Sequence, residues 1–179
     1  IPYELREQHT SKELFVRVTP SLKRFLKEAL REDLGRGDLT TNLLIPKDLR
    51  ARCRIVAKDK STVSGLFLIP ALFKILDRRV RCRLWVREGS QIRKGQSVVS
   101  LEGPLRAILT GERVALNLLG HLSGISTFTR RFLQAVRPYR VQVFDTRKTT
   151  PLLRELEKHA VRCGGGENHR MRLDQNIFV

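Results

Sequence analysis

Val141-Gln142-Val143-Phe144-Asp145-Thr146-Arg147-Lys148-Thr149-Thr150-Pro151 decides how the second half of this chain is read. Val141–Phe144 predicts a short strand, and Pro151, whose ring presets a first helical turn, predicts a helix directly after the loop. Leu152, Leu156, Ala160 and Cys163 share one face of that helix, and the triplet Gly164–Gly166 closes it. Upstream, Leu105, Ile108, Leu109, Leu116 and Leu119 mark a long amphipathic helix from Pro104. It is expected to break near Ser123-Gly124 and to resume through Phe132 and Val136 to Pro138. Ile177-Phe178-Val179 begins another strand. Helix, strand, helix, strand is the start of a parallel α/β array.

The first half reads differently. Thr19-Pro20 offers an N-cap and first turn, followed at helical spacing by Leu22, Phe25, Leu26, Ala29 and Leu30, until Gly35 ends the helix. The turn Gly35-Arg36-Gly37-Asp38 contains a three-residue adhesion motif too short to carry weight. Val80, Cys82, Leu84 and Val86 alternate with Arg81, Arg83, Trp85 and Arg87, which predicts a half-buried strand with an arginine-lined outer face. Ser97–Leu101 predicts another strand, and Leu68–Leu76 a short helix packed on this sheet. The expected organisation is α/β in class: an N-terminal α+β domain over residues 1–103, then the long helix and the α/β array over 104–179.

The chain has 179 residues, with 35 Lys+Arg against 18 Asp+Glu, a formal net charge of +17. A hydrophobic share of 41% with 30% charged residues is globular composition and excludes a disordered basic tail. The longest apolar run, Gly65–Phe73, stops at Lys74, well short of the roughly 20 residues of a membrane span. Ile1–Ser11 lacks the apolar stretch of a secretory signal. Cys53, Cys82 and Cys163 form no CxxC pair, which argues against a disulfide framework or a zinc site and for a reducing, cytoplasmic setting. The charge itself asks for an anionic partner.

Three clusters can carry chemistry. Loops at the carboxyl ends of strands are where α/β folds bind ligands, so Arg147 and Lys148, between Thr146 and Thr149, stand at the ligand end. Arginine grips carboxylate or phosphate through two parallel hydrogen bonds, and lysine acts as a point charge. A solvated basic loop is the plainer alternative. In Gly164-Gly165-Gly166-Glu167-Asn168-His169-Arg170 the glycines allow close backbone approach, and His169 beside Arg170 suits an anion; a helix C-cap and polar turn would look the same. His159 reads as a packing residue. Arg113 of Glu112-Arg113 lies off the leucine stripe, where a surface salt bridge is the default.

Together the runs GERVALNLLGHLSGIST (Gly111–Thr127), FDTRKTTP (Phe144–Pro151) and CGGGENHR (Cys163–Arg170) closely resemble quinolinate phosphoribosyltransferase, the carboxylating nicotinate-nucleotide pyrophosphorylase family of NAD biosynthesis. EDLGRGDLTT (Glu32–Thr41) and VREGSQIRKGQ (Val86–Gln96) add to the likeness, which covers about Leu22 to Val179 in order and spacing.

The resemblance implies a sandwich-like N-terminal domain, an open C-terminal α/β barrel and a homodimer in which each N-terminal domain covers the other subunit's barrel mouth. It implies transfer of a phosphoribosyl group from phosphoribosyl pyrophosphate, with Mg2+, to quinolinate, with loss of carbon dioxide and pyrophosphate. Arg147, Lys148 and His169 are the implied catalytic residues. Arg113, Thr146, Arg147, Lys148, Thr149, His169 and Arg170 are the implied substrate-binding set, with the Arg113 equivalent entering the neighbouring subunit's site. The family continues past this point with a lysine, an acidic-Asn-His run and metal-binding carboxylates. The expectation is therefore a C-terminally truncated chain, with no metal ligand of its own, no closed barrel and no activity alone. A molybdenum-transport-associated paralogue is one rival. A basic nucleic-acid-binding module using Arg78, Arg79, Arg81, Arg83, Arg87, Arg93 and Lys94 is another, though aromatics are only 6% and no nucleic-acid motif is present.

Overall fold

Thr19 accepts the Leu22 amide at its side-chain oxygen and opens helix α1 (Pro20–Leu34), which buries Leu22, Leu26 and Leu30 and ends at Gly35. These residues belong to a computed structural model that describes residues 17–139 and 141–175. The expected strand at Ile177–Val179 and the reading of Ile1–Ser11 lie outside them. Asp38 caps a second, unanticipated helix, α2 (Leu39–Leu44), by accepting the Thr41 amide.

A three-stranded antiparallel sheet follows in the order β1-β5-β3, made of β1 (Arg50–Val56), β5 (Ser97–Pro104) and β3 (Arg81–Leu84). A two-stranded ribbon pairs β2 (Ser61–Thr62) with β4 (Gln91–Ile92). Helix α3 (Leu68–Leu76) covers the sheet with Leu68, Ile69, Leu72 and Phe73, all fully buried. Burial of four such side chains contributes on the order of 6–12 kcal/mol before entropy is subtracted. The arginine face is broader than the sequence indicated. Register places Arg52 and Arg81 on either side of Glu102, and Arg54 and Arg83 on either side of Ser100, so β1 adds its own alternating arginines. Arg83 stacks over the Trp85 ring at 3.9 Å, and Leu84 is exposed rather than half-buried.

Helix α4 (Leu105–Val136) is the spine of the molecule, and it corrects two expectations. It does not break at Ser123-Gly124. The Ser123 hydroxyl accepts the Ser64 amide, the Ser126 hydroxyl donates to Thr62 O at 2.7 Å, and the Thr127 hydroxyl accepts the Thr62 amide at 2.9 Å. Those small polar residues dock the helix on the backbone of residues 62–64, so tertiary bonding overrides weak local propensity. Leu116, placed on the apolar stripe, is instead 38% exposed, and Val114 and Ala115 take the buried face.

Beyond a 3-10 turn at Arg137–Tyr139, the predicted strand Val141–Phe144 reduces to one parallel bridge between Phe144 and Glu167. The helix expected from Pro151 begins later, as α5 (Arg154–Gly164). Leu152 adopts φ 68° and is 94% exposed, so it stands in a turn and not on the apolar face. Leu156, Ala160 and Cys163 are buried as predicted. At the C-terminal end α5 crosses α4 closely: a Cβ on Gly164 would lie 2.5 Å from Ser126 O and 2.6 Å from Thr129 Cβ. Gly165, at φ 94°, then caps the helix in the left-handed region. Among the described residues no helix is long and apolar enough to cross a membrane.

Candidate anion-binding site

The single parallel bridge brings the two cationic loops together. Glu167 N donates to Val143 O at 2.8 Å and Asp145 N to Glu167 O at 3.0 Å, so residues 145–150 and 167–171 leave the pairing side by side. A buried ion pair then locks them. Lys158 on α5, 1% exposed at its side chain, bonds Asp145, whose side chain is 5% exposed. The Lys158 ammonium also donates to His169 O at 2.9 Å, and Asp145 Oδ1 accepts the His169 amide at 2.8 Å. With its side-chain amide turned to suit its neighbours, Asn168 donates to Lys158 O at 2.9 Å and to Asp145 Oδ2 at 3.2 Å.

Arg154, at the first turn of α5, clamps both loops. Its Nε donates to the Thr149 hydroxyl at 3.0 Å, Nη1 to Met171 O at 3.1 Å and Nη2 to Arg147 O at 3.4 Å. Glu157 ties the same loop to α4: one oxygen accepts the Thr150 amide at 3.1 Å and the other meets His121 Nε2 at 2.8 Å. None of Asp145, Arg154, Lys158, Glu157 or His121 was singled out from the sequence. Consecutive burial of Leu156 through Ala160 means that helical periodicity gave no hint of which charges face inward.

The predicted residues fall into two groups. Arg147, Lys148, His169 and Arg170 sit on the two adjoining loops. Arg147 Nε is buried without a hydrogen-bond partner, an unsatisfied donor of a kind native interiors seldom hold. His169 Nδ1 accepts the Arg170 amide at 2.8 Å, which puts the proton of the neutral ring on Nε2. Thr146 and Thr149 shape the first loop: the Thr146 hydroxyl accepts the Lys148 amide at 3.0 Å, and Thr149 meets Arg154. Arg113 is not brought to this cluster. It is exposed on α4, eight positions before His121, which is about 12 Å along the helix axis. The arrangement is a preorganised donor set for a ligand with separated negative charges.

Burial pushes the Glu157 carboxyl up, but the bonds from Thr150 and His121, with the His121 charge, outweigh it and hold the group below its ordinary value. A depressed carboxylate stabilises the fold above its unfolded pKa and loses that contribution as pH falls through the folded value. Thermal melts from pH 7 to pH 3 are therefore expected to show a steeper acid loss for the native chain than for Glu157→Gln. Parallel curves would remove this role from Glu157.

Two loops that leave one parallel bridge thus carry a cluster of cationic side chains, the chemistry that suits anionic groups. Residues 38–123 match the quinolinate phosphoribosyl transferase N-terminal domain and residues 125–179 the C-terminal domain. The chain belongs to the quinolinate phosphoribosyltransferase family. It is 42% identical over 158 residues to a probable nicotinate-nucleotide pyrophosphorylase (carboxylating) of Bacillus subtilis, covering 88% of this chain and 54% of that protein. It is 35% identical over 162 residues to a mitochondrial quinolinate phosphoribosyltransferase (decarboxylating) of Nicotiana tabacum, covering 90% and 46%. The crystal structure of NadC from Streptococcus pyogenes superposes with a TM-score of 0.86 at 40% identity, over 91% of this chain and 58% of that one. The chain thus spans about half the length of the curated relatives it matches.

Proposed function

We propose that this chain carries the quinolinate-binding portion of an enzyme that transfers the phosphoribosyl group of phosphoribosyl pyrophosphate to quinolinate. Nicotinate mononucleotide, pyrophosphate and carbon dioxide are the products. The observation that supports this most is Arg147: a half-buried side chain with a buried, unpartnered Nε, next to Lys148 on a loop that Asp145 ties to the His169-Arg170 loop. Two carboxylates on one flat ring match a fixed array of planar and point cations better than a single phosphate does.

In this reading Arg147 and Arg170 hold the ring carboxylates and orient the ring nitrogen toward the anomeric carbon. Displacement there proceeds through an oxocarbenium-like state while negative charge grows on the leaving pyrophosphate. Lys148 and His169 Nε2–H supply preorganised positive charge and a donor to growing anionic oxygen. No nucleophilic side chain and no covalent intermediate are required. Mg2+ belongs with the pyrophosphate substrate. The donor set described here does not fit a divalent cation, since its members are cationic and Asp145 is committed to Lys158 and the His169 amide.

The same reading includes a homodimer in which Arg113 serves the partner's pocket. Its exposure and its distance along α4 from the cluster support that division, as do the exposed Leu39, Leu43 and Leu44 of α2. Three free cysteines suit a cytoplasmic setting. The test is carbon dioxide release from carboxyl-labelled quinolinate by the intact protein. Release that depends on phosphoribosyl pyrophosphate is expected; a folded protein that binds quinolinate without releasing carbon dioxide refutes the activity.

A further inference from the structure

We propose that Glu88, His159 and Cys163 form a site for a zinc-class divalent cation, separate from the anion-binding loops. His159 and Cys163 lie one turn apart on α5, and Glu88 comes from the segment between β3 and β4. His159 Nε2 is 3.3 Å from Glu88 Oε2 and 3.3 Å from Cys163 Sγ, and Cys163 Sγ is 3.6 Å from Glu88 Oε2. A tetrahedral zinc with ordinary bond lengths separates its sulfur, nitrogen and oxygen ligands by about 3.3–3.6 Å. The three atoms already define one face of that tetrahedron.

The fully buried Ser64 hydroxyl lies beside the Cys163 sulfur and adds an oxygen to the lining. The carboxylate is already oriented: Glu88 Oε1 accepts the Phe67 amide at 3.1 Å and Oε2 the Gly65 amide at 3.0 Å. Supported carboxylates and rings are what hold a metal-binding geometry in place. The Phe67 ring packs edge-on to His159 with centroids 5.2 Å apart and fixes its plane.

Ligand type selects the metal. One thiolate, one imidazole and oxygen donors favour zinc or its borderline neighbours over Mg2+ or Ca2+. On binding, Cys163 releases its proton to solvent and the imidazole proton resides on Nδ1, leaving Nε2 to coordinate. Glu88 and the thiolate together neutralise the two positive charges. The product is a clasp joining the C-terminal half of α5 to the β3–β4 segment, and it involves none of Arg147, Lys148, His169 or Arg170.

The experiment uses the intact protein. Metal analysis after dialysis is expected to find about one zinc per chain, falling to background in Cys163→Ala and in His159→Gln. Co2+ added to apo wild type should give a thiolate-to-cobalt charge-transfer band in the near ultraviolet, abolished by zinc and absent from Cys163→Ala. Should a variant fail to fold, the cobalt spectrum of wild type decides alone. A folded wild type that retains no zinc and gives no thiolate band overturns the proposal.

Discussion

Lys158→Met is expected to destabilise the protein by about 3–5 kcal/mol, because it strands the Asp145 carboxylate in a buried site. For a chain of this size that is a fall in Tm of roughly 6–20 °C. The reasoning rests on burial at both ends of the pair, 1% and 5% exposure at the two side chains, where water cannot replace the lost ammonium. Methionine keeps the length and volume of the aliphatic stem, so a packing defect contributes little. The double variant Lys158→Met/Asp145→Leu separates the two effects. It should recover most of the stability, since no charge is left unpaired. It should not recover anion binding, because His169 N and Asn168 lose the acceptor that positions them. Differential scanning calorimetry checks the first part and quinolinate titration the second. A Tm for Lys158→Met within about a degree or two of wild type would show that Asp145 is solvated.

That ion pair marks the limit of what could be read from sequence. Helices α1 and α3 were legible because capping, periodicity and turn residues agreed locally: Thr19-Pro20 begins α1, Gly35 ends it, and Leu68–Leu76 matched its observed span. Strand β1 has period-2 alternation, but its inward residues are Ala51, Cys53 and Ile55 and its outward ones arginines, so the pattern was weak. Helix α2 could not be read at all, since Leu39, Leu43 and Leu44 are exposed and its definition rests on the Asp38 cap. The false break at Ser123-Gly124 came from treating this pair as punctuation, where Ser123, with Ser126 and Thr127, docks the helix on residues 62–64. The strand at Val141–Phe144 needed a partner distant in sequence, and only Glu167 supplies one among the described residues.

The binding loops divide in the same way. Arg147, Lys148, His169 and Arg170 could be placed on loops from the sequence because loop position after a strand or a glycine run is a local property of the chain. Arg154, Lys158 and Glu157 were invisible because charges on a short helix read as solvent-facing. Here α5 is covered on several sides, so those charges turn inward and carry the loops. His159 was assigned to packing, and its burial agrees, but its contact with Glu88 joins residues some seventy positions apart.

Arg147→Ala is expected to weaken quinolinate binding by about 2–4 kcal/mol, roughly 30- to 1000-fold in Kd, while leaving Tm nearly unchanged. Two structural facts keep those outcomes apart. The scaffold uses only the backbone of Arg147: its carbonyl accepts from Arg154 Nη2 and from the Thr149 hydroxyl, and both bonds survive truncation of the side chain. The side chain has a buried Nε with no hydrogen-bond partner among the described residues. Alanine therefore removes ligand contacts without removing a strut, the reverse of Lys158→Met. Arg147→Lys should recover only a small part of the loss, because a point charge cannot reproduce two parallel hydrogen bonds to a carboxylate. Isothermal titration calorimetry with quinolinate on the intact protein measures all three. Equal affinity for wild type and Arg147→Ala would refute the assignment, and equal affinity for Arg147→Lys would show that charge alone is recognised.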